Sequence, residues 1–130
     1  MHLNKVIFAI DNNTDTHTVA KFLRYLDTVR AMRKMNGTVT HCVGMWDGIL
    51  EPSYMMDQTD FDAHVKDSGF VDNQDCVLHV PGDTRQPCSL VFPDGKQESV
   101  GPMREVSASE AMQSVGWTYV QATGKYFVTT

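Results

Sequence analysis

The longest periodic segment of the chain constrains its fold most. Between Asp15 and Met35, apolar side chains recur at helical spacing and form one stripe, which consists of Val19, Phe22, Leu23, Leu26, Val29 and Met32. Thr14 or Asp15 can cap the start of such a helix, and Asn36-Gly37 can supply the left-handed residue that ends it. The pattern therefore predicts an amphipathic helix near the beginning of the chain.

Extended segments flank this helix on both sides. The apolar run from Lys5 to Ile10 reads as a buried strand, and Thr38 to Trp46 alternates as a strand does. After a break at Asp47-Gly48, a second extended piece covers Ile49 to Met56. In that piece Leu50, Tyr54 and Met56 share one face, whereas Glu51, Ser53 and Met55 share the other.

The remaining residues predict shorter elements. In chain order these are a helix opened by Thr59-Asp60-Phe61-Asp62 and ending near Gly69, strands at Gln74–Val80 and Ser89–Phe92, a turn at Pro93–Lys96 before Gln97–Val100, a helix capped by Ser107 with Glu110 and ending at Gly116, and two strands about Ala122–Gly124. Interleaved strands and helices of these lengths predict one α+β domain over residues 1–130. Its architecture would be a two-layer α/β sandwich with a ferredoxin-like βαββαβ core and extra edge strands.

The charge balance and the cysteines limit the possible partners. A net charge of −5 argues against a nucleic-acid partner, because an acidic chain lacks the positive field that holds phosphates. The basic residues that do cluster (Arg24, Arg30, Arg33 and Lys34) fit a solvated helix face. Three widely spaced cysteines suit a reducing compartment rather than a disulfide framework. No signal peptide or membrane-length apolar run is evident, so we expect neither secretion nor membrane insertion.

Residue spacing also argues against several kinds of catalytic site. His41 and Cys42 are adjacent, and Cys76 and His79 lie three apart, so each pair would point to opposite faces of a strand. The chain has no Gly-x-Ser-x-Gly motif and no glycine-rich phosphate loop. We therefore predict no metal site and no bound cofactor.

The segment GMWDGILEPSY, residues 44–54, remains as the candidate site. Trp46 and Tyr54 can stack on a purine or face a cation, and Glu51 can hold a ribose diol or an ammonium group. Each residue also has a structural explanation: the aromatic rings suit a core or an interface, and Glu51 beside Pro52 suits a solvated edge strand. Their concentration in eleven residues, with flanking glycines that admit close backbone contact, favours a ligand site.

The residues Gly44 to Ser53 resemble a segment of the phage S-adenosylmethionine-degrading lyases, in which an aromatic residue and a glycine shortly precede a glutamate. Further along the chain, Gln74–Leu78 and Ser89–Phe92 resemble the next two strands of that family. The resemblance covers about half of the chain in separate pieces.

This resemblance implies a GlnB-like sandwich that assembles as a homotrimer with sites between subunits. It also implies cleavage of S-adenosylmethionine to methylthioadenosine and homoserine lactone in the cytoplasm of an infected host, where the enzyme counters restriction. Glu51 would be the catalytic residue. Substrate contacts would come from Trp46, Ser53, Tyr54, Gln97 and Glu98.

Two other classes of function remain open. The same aromatic residues and carboxylate could serve a trimeric protein that sequesters an adenine-containing ligand without converting it. They could instead form a protein interface in a phage structural or inhibitor protein.

Overall fold

The computed structural model describes residues 4–9, 39–46, 48–65, 76–92 and 94–129. These residues contain nine strands and two helices, which in chain order are β1 (Lys5–Ala9), β2 (Val39–Trp46), β3 (Ile49–Asp57), α1 (Gln58–His64), β4 (Val77–Val80), β5 (Cys88–Val91), β6 (Gln97–Gly101), β7 (Met103–Val106), α2 (Ala108–Met112), β8 (Gly116–Val120) and β9 (Lys125–Thr129). No helix within these ranges is long and apolar enough to cross a membrane.

All nine strands belong to one antiparallel sheet. Their order is β6-β5-β4-β1-β3-β2-β8-β9-β7. The two outermost strands, β6 and β7, follow one another along the chain with only Pro102 between them. One stretch of backbone therefore leaves one edge of the sheet and enters the opposite edge, and this brings the sheet close to a closed barrel.

The predicted two-layer α/β sandwich is wrong. Strands make up 57% of the described residues and helices only 14%, and the sheet forms a nearly closed nine-strand barrel rather than one layer covered by another. The physical reason lies in β7, which the sequence did not predict and which pairs with β9. Because β8 pairs in turn with β2, the C-terminal strands lengthen the sheet until it curls, as long twisted sheets do. The helix predicted between Asp15 and Met35 lies outside the described residues.

Most of the predicted strands and turns are confirmed within the described ranges. β1, β2 and β3 occupy the predicted segments, and the turns at Gly48, Gly95 and Gly124 place these glycines at φ of 80°, 90° and 69°. The hydroxyl of Ser107 accepts a hydrogen bond from the Glu110 N–H at 3.1 Å, as the predicted N-cap requires. That helix nevertheless ends at Met112 rather than at Gly116.

The first described helix begins differently from the prediction. Its N-cap is Asp57, whose side chain makes no capping hydrogen bond, and the helix starts at Gln58 rather than behind a Thr59 capping box. The side chain of Asp57 is instead paired with the Lys5 ammonium group on β1. The backbone N–H of Gln58 donates to the carbonyl of Asn4 at 2.9 Å, so the start of the helix is bonded to the residue just before the first strand.

The sheet has two buried surfaces. We call the side packed against the helices the outer face; its two clusters consist of Val6, Phe8, Met56, Val77, Phe61 and Val65 around α1, and of Val106, Val128 and Ala111 around α2. We call the other side the inner face, and it buries Ile7, Cys42, Ser53 and Val120. Burying a side chain as large as Phe8 stabilises the fold by about 1.5–3 kcal/mol.

Candidate active site

The segment 44–54 folds as the tip and second arm of the β2–β3 hairpin. Eight residue pairs join the two strands, from Val39 opposite Met56 to Trp46 opposite Ile49. Gly48 takes a left-handed conformation at the tip, which explains why the segment carries a glycine at this position. The hairpin lies near the middle of the sheet, between β1 and β8.

Glu51 lies on β3 directly opposite Gly44 of β2. Its side chain is exposed, and no described residue forms an ion pair with it. Since glycine has no side chain, nothing from β2 covers the carboxylate at this position. The result is an anionic group without an ion-pair partner among the described residues, beside open backbone, and such a group can bind a diol or an ammonium group.

The buried side chain of Ser53 is bonded to the backbone of Glu51. Only 5% of its surface is exposed, and its hydroxyl donates a hydrogen bond to the Glu51 carbonyl at 3.2 Å. A Cβ atom at Gly44 would approach the same hydroxyl oxygen to 3.0 Å. Gly44 therefore keeps room for Ser53, and Ser53 fixes the strand that carries Glu51. A substrate contact by Ser53 stays a prediction.

Tyr54 belongs to a row of rings on the outer face. Its ring centroid lies 4.9 Å from that of His41 on β2, with the planes inclined at 59°. On its other side it stacks against Phe8 of β1 at 6.1 Å. His41 is exposed and Tyr54 is half-buried, so the ring pair is open to a ligand at the His41 end.

A shallow depression of about 350 Å³ lies over the hairpin next to this ring pair. Five of the residues around it lie on the outer face by strand alternation in β2 and β3, namely His41, Val43, Leu50, Pro52 and Tyr54. Gln121, which directly follows β8, is the sixth outer-face residue, because the same alternation continues from Val120 on the inner face. Cys42, Glu51 and Ser53 also border it, but alternation directs their side chains toward the inner face.

The predicted site residues are therefore not all brought together within one chain. The Glu51 and Ser53 side chains point to the inner face, whereas the Tyr54 ring points to the outer face. Gln97 and Glu98 are exposed on β6, four strands away from β3, which is roughly 19 Å along the sheet at the usual strand spacing. The backbone of Trp46 pairs with Ile49 and Gly116, and its ring lies outside the described part of the structure.

The environment of the two buried cysteines makes them unreactive. Burial raises the pKa of the Cys42 thiol to about 11, and it also raises the pKa of Cys88. Both thiols therefore stay protonated at neutral pH, and a protonated thiol is a poor nucleophile. Within the described ranges, no three His, Cys, Asp or Glu side chains stand together in a way that could hold a metal ion.

Sequence reasoning did not assign His41 and Gln121 to the site. The alternation of β2 placed His41 on the same face as Val43, but only the register with β3 sets it beside Tyr54. Gln121 follows β8, and its backbone N–H donates to the His41 carbonyl at 3.1 Å. This contact joins residues about eighty positions apart, and no local pattern signals it.

Comparison with known proteins gives one family. A sequence model of the S-Adenosylmethionine lyase family matches residues 9–130, which include every strand described here after β1 and the whole candidate site. No curated protein matches the chain significantly.

Proposed function

Because the chain belongs to the S-adenosylmethionine lyase family, we propose that it cleaves S-adenosylmethionine to 5′-methylthioadenosine and L-homoserine lactone. Family membership supports a lyase that degrades S-adenosylmethionine. The two products and the route to them are the proposal. The observation that carries it is the exposed carboxylate of Glu51 beside Gly44, which has no ion-pair partner in the described part of a chain of this family.

The substrate supplies both reacting groups. Its carboxylate oxygen attacks its own γ-carbon, the bond from that carbon to sulfur breaks, and the electron pair of the bond returns to sulfur. The sulfonium becomes a neutral thioether and the carboxylate becomes a lactone, so no water, proton or redox partner is consumed. Well-oriented intramolecular reactions reach effective molarities on the order of 10⁵ M or more, so folding the methionine arm into a reactive geometry can accelerate the step greatly.

Glu51 acts in this scheme as a holder of the substrate. The opposite charges of the sulfonium and the carboxylate cancel as the new bond forms, so an anion fixed on the sulfonium would stabilise the ground state more than the transition state. A ribose diol or the α-ammonium group is therefore the better partner for Glu51. The hydrogen bond from Ser53 to the Glu51 carbonyl supports this role, because it holds the strand on which the carboxylate is mounted.

We further propose that the protein is a homotrimer with its sites between subunits. The support is that one chain places Glu51 and Tyr54 on opposite faces of the sheet and keeps Gln97 and Glu98 four strands away. This separation supports a ligand that bridges two copies of the chain. Of the other predicted contacts, Ser53 lies two residues after Glu51 on β3, and Trp46 lies two residues after Gly44, the cross-strand partner of Glu51.

The biological setting in this proposal is a phage infection. The resemblance of residues 44–53 to phage enzymes suggests that the protein works in the cytoplasm of an infected host and removes the methyl donor or cofactor on which restriction systems depend.

The test is a product assay with matched variants. Purified protein is incubated with S-adenosylmethionine, and methylthioadenosine and homoserine lactone are separated by chromatography. We expect both products from the native chain. We expect Glu51→Gln to lower kcat/KM by roughly 10- to 150-fold, the equivalent of a lost charge-assisted hydrogen bond. Glu105→Gln, another exposed strand glutamate, is the control and should keep full activity.

The outcomes separate this proposal from its alternative. If no methylthioadenosine forms at high enzyme concentration, the lyase proposal is wrong. Thermal stabilisation by S-adenosylmethionine without product would instead support a non-catalytic binding protein. Free homoserine without any lactone intermediate would indicate hydrolysis by water. Full activity of Glu51→Gln would place the site elsewhere.

A further inference from the structure

We infer that the outer-face depression is a subsite for the adenine base, with His41 as its stacking surface and Gln121 as the residue that reads the base edge. This inference rests on the proposed function, which supplies the adenine-containing substrate. Neither residue belongs to the set predicted from sequence.

The first observation is a continuous row of side chains across the outer face. Phe8 on β1, Tyr54 on β3 and His41 on β2 are cross-strand neighbours in that order, and the ring distances are 6.1 Å and 4.9 Å. Gln121 continues the row beyond His41, because its N–H bonds to the His41 carbonyl at 3.1 Å. The buried end of the row holds the rings in place, and the exposed end is free to meet a ligand.

The second observation is the chemistry of the exposed end. A flat heteroaromatic base gains energy by stacking on a ring, and this holds for any base because each has a π-face. A glutamine carboxamide offers one donor and one acceptor side by side, the arrangement that matches the amino group and the neighbouring ring nitrogen of adenine. Gln121 is exposed and borders the depression. The two side chains therefore combine a stacking surface with a group that can select adenine.

The third observation is size. The depression of about 350 Å³ lies at the small end of the range of about 300–1,000 Å³ that is typical of ligand pockets. Val43, Leu50 and Pro52 give it an apolar floor, which suits the base. Glu51 also borders it, but strand alternation directs its carboxylate toward the inner face. One base fits this description better than the whole charged substrate. The Glu51 that meets the rest of the substrate would then belong to another copy of the chain.

The experiment measures binding of two probes by calorimetry. One probe is 5′-methylthioadenosine, and the other is its analogue with an unsubstituted purine, which lacks the 6-amino group. We expect the native protein to prefer the adenine probe by about fivefold, the equivalent of one hydrogen bond. Gln121→Ala should bring this ratio close to one. His41→Ala should lower the affinity for both probes by about tenfold and leave the ratio of the two affinities unchanged.

Controls keep the result interpretable. Gln86→Ala removes an exposed glutamine from the β4–β5 loop and should change neither affinity. Thermal denaturation checks that each variant is folded, which we expect because His41 and Gln121 are both exposed. An unchanged probe ratio in Gln121→Ala, an unchanged affinity in His41→Ala, or no binding of the adenine probe would each overturn the inference.

Turnover of S-adenosylmethionine is measured in parallel, and it distinguishes failure of the adenine-subsite inference from failure of the proposed lyase function. Product formation with an unchanged probe ratio in Gln121→Ala would overturn the subsite and leave the lyase. The expected probe ratios without any product would support the subsite and overturn the lyase.

Discussion

A site shared between subunits predicts that two defective variants restore each other. The first variant is Glu51→Gln, which damages the inner-face carboxylate. The second is the double variant His41→Ala, Gln121→Ala, which damages the outer-face depression. Each alone should lose at least about tenfold in kcat/KM. The two defects lie on opposite faces of the same hairpin, so in the proposed trimer the two groups that meet one ligand come from different copies of the chain.

The size of the restoration follows from how the copies assemble. In the proposed trimer, a closed ring, each site takes its depression from one copy and its carboxylate from a neighbour. When the two variants are co-expressed in equal amounts and mix at random, about one quarter of the sites receive an intact depression and an intact Glu51, so activity should reach about a quarter of the native value. The other three quarters carry at least one defect.

The assay is methylthioadenosine production at a substrate concentration well below KM, where kcat/KM governs the rate. The two chains carry different affinity tags, and sequential purification on both tags isolates the mixed assemblies. In a mixed trimer one of the three sites is intact, so the purified assemblies should reach about one third of the native activity. Mixing each variant with itself under different tags is the control and should restore nothing. Activity of the mixed assemblies no greater than the mean of the two variants would refute the shared site, because it would mean that each chain works alone.

Two further changes test the structure around the site. Gly44→Ala places a Cβ about 3.0 Å from the Ser53 hydroxyl oxygen and should destabilise the fold by about 1–3 kcal/mol, which thermal denaturation measures. The control is the double variant Gly44→Ala, Ser53→Ala, which removes the hydroxyl. If this double variant is as unstable as Gly44→Ala, the clash is not the cause. The folded-state pKa of Cys42 is raised from 9.0 to about 11, so its stabilising contribution is complete below pH 9 and is lost as pH rises to about 11, by at most about 1.4 kcal/mol per pH unit. Urea unfolding at pH 8 and pH 10.5 should show this loss in the native chain and a smaller one in Cys42→Ala; an equal loss in both would remove Cys42 as the cause.

Local patterns predicted the strands and turns well but failed at the closure of the sheet. An apolar run predicts β1, and alternating apolar and polar residues predict β2. Gly95 indicates its turn, because the turn needs a backbone conformation that only glycine adopts easily. β7 is four residues long with charged Arg104 and Glu105 at its centre, so nothing in its sequence distinguishes it from a loop. Its strand character comes from pairing with β9, which is a property of the whole fold. The sandwich prediction rested on the interleaving of strands and helices, and it did not include β7, the strand that extends the sheet beyond β9.

For the candidate site, too, the sequence predicted the local arrangement but not the contacts between distant strands. The alternation of β3 already separated Glu51 and Ser53 from Tyr54, and the register of the hairpin agrees with that separation. The depression was not predictable, because Gln121 reaches His41 only through the pairing of β8 with β2. The position of Gln97 and Glu98 likewise depended on the order of strands in the sheet, which sequence spacing does not determine.

The pairing of β2 with β8 has a consequence for synthesis of the chain. Trp46 of β2 bonds across to Gly116, a residue made about seventy positions later. At a translation rate of about 5–20 residues per second, that edge of β2 waits roughly 4 to 14 seconds for its native partner. During this interval the nascent chain exposes the edge of an alternating, largely uncharged strand, the kind of edge that templates aggregation. The rate at which a ribosome crosses residues 47–115 should therefore influence how much of the protein a cell recovers in folded form.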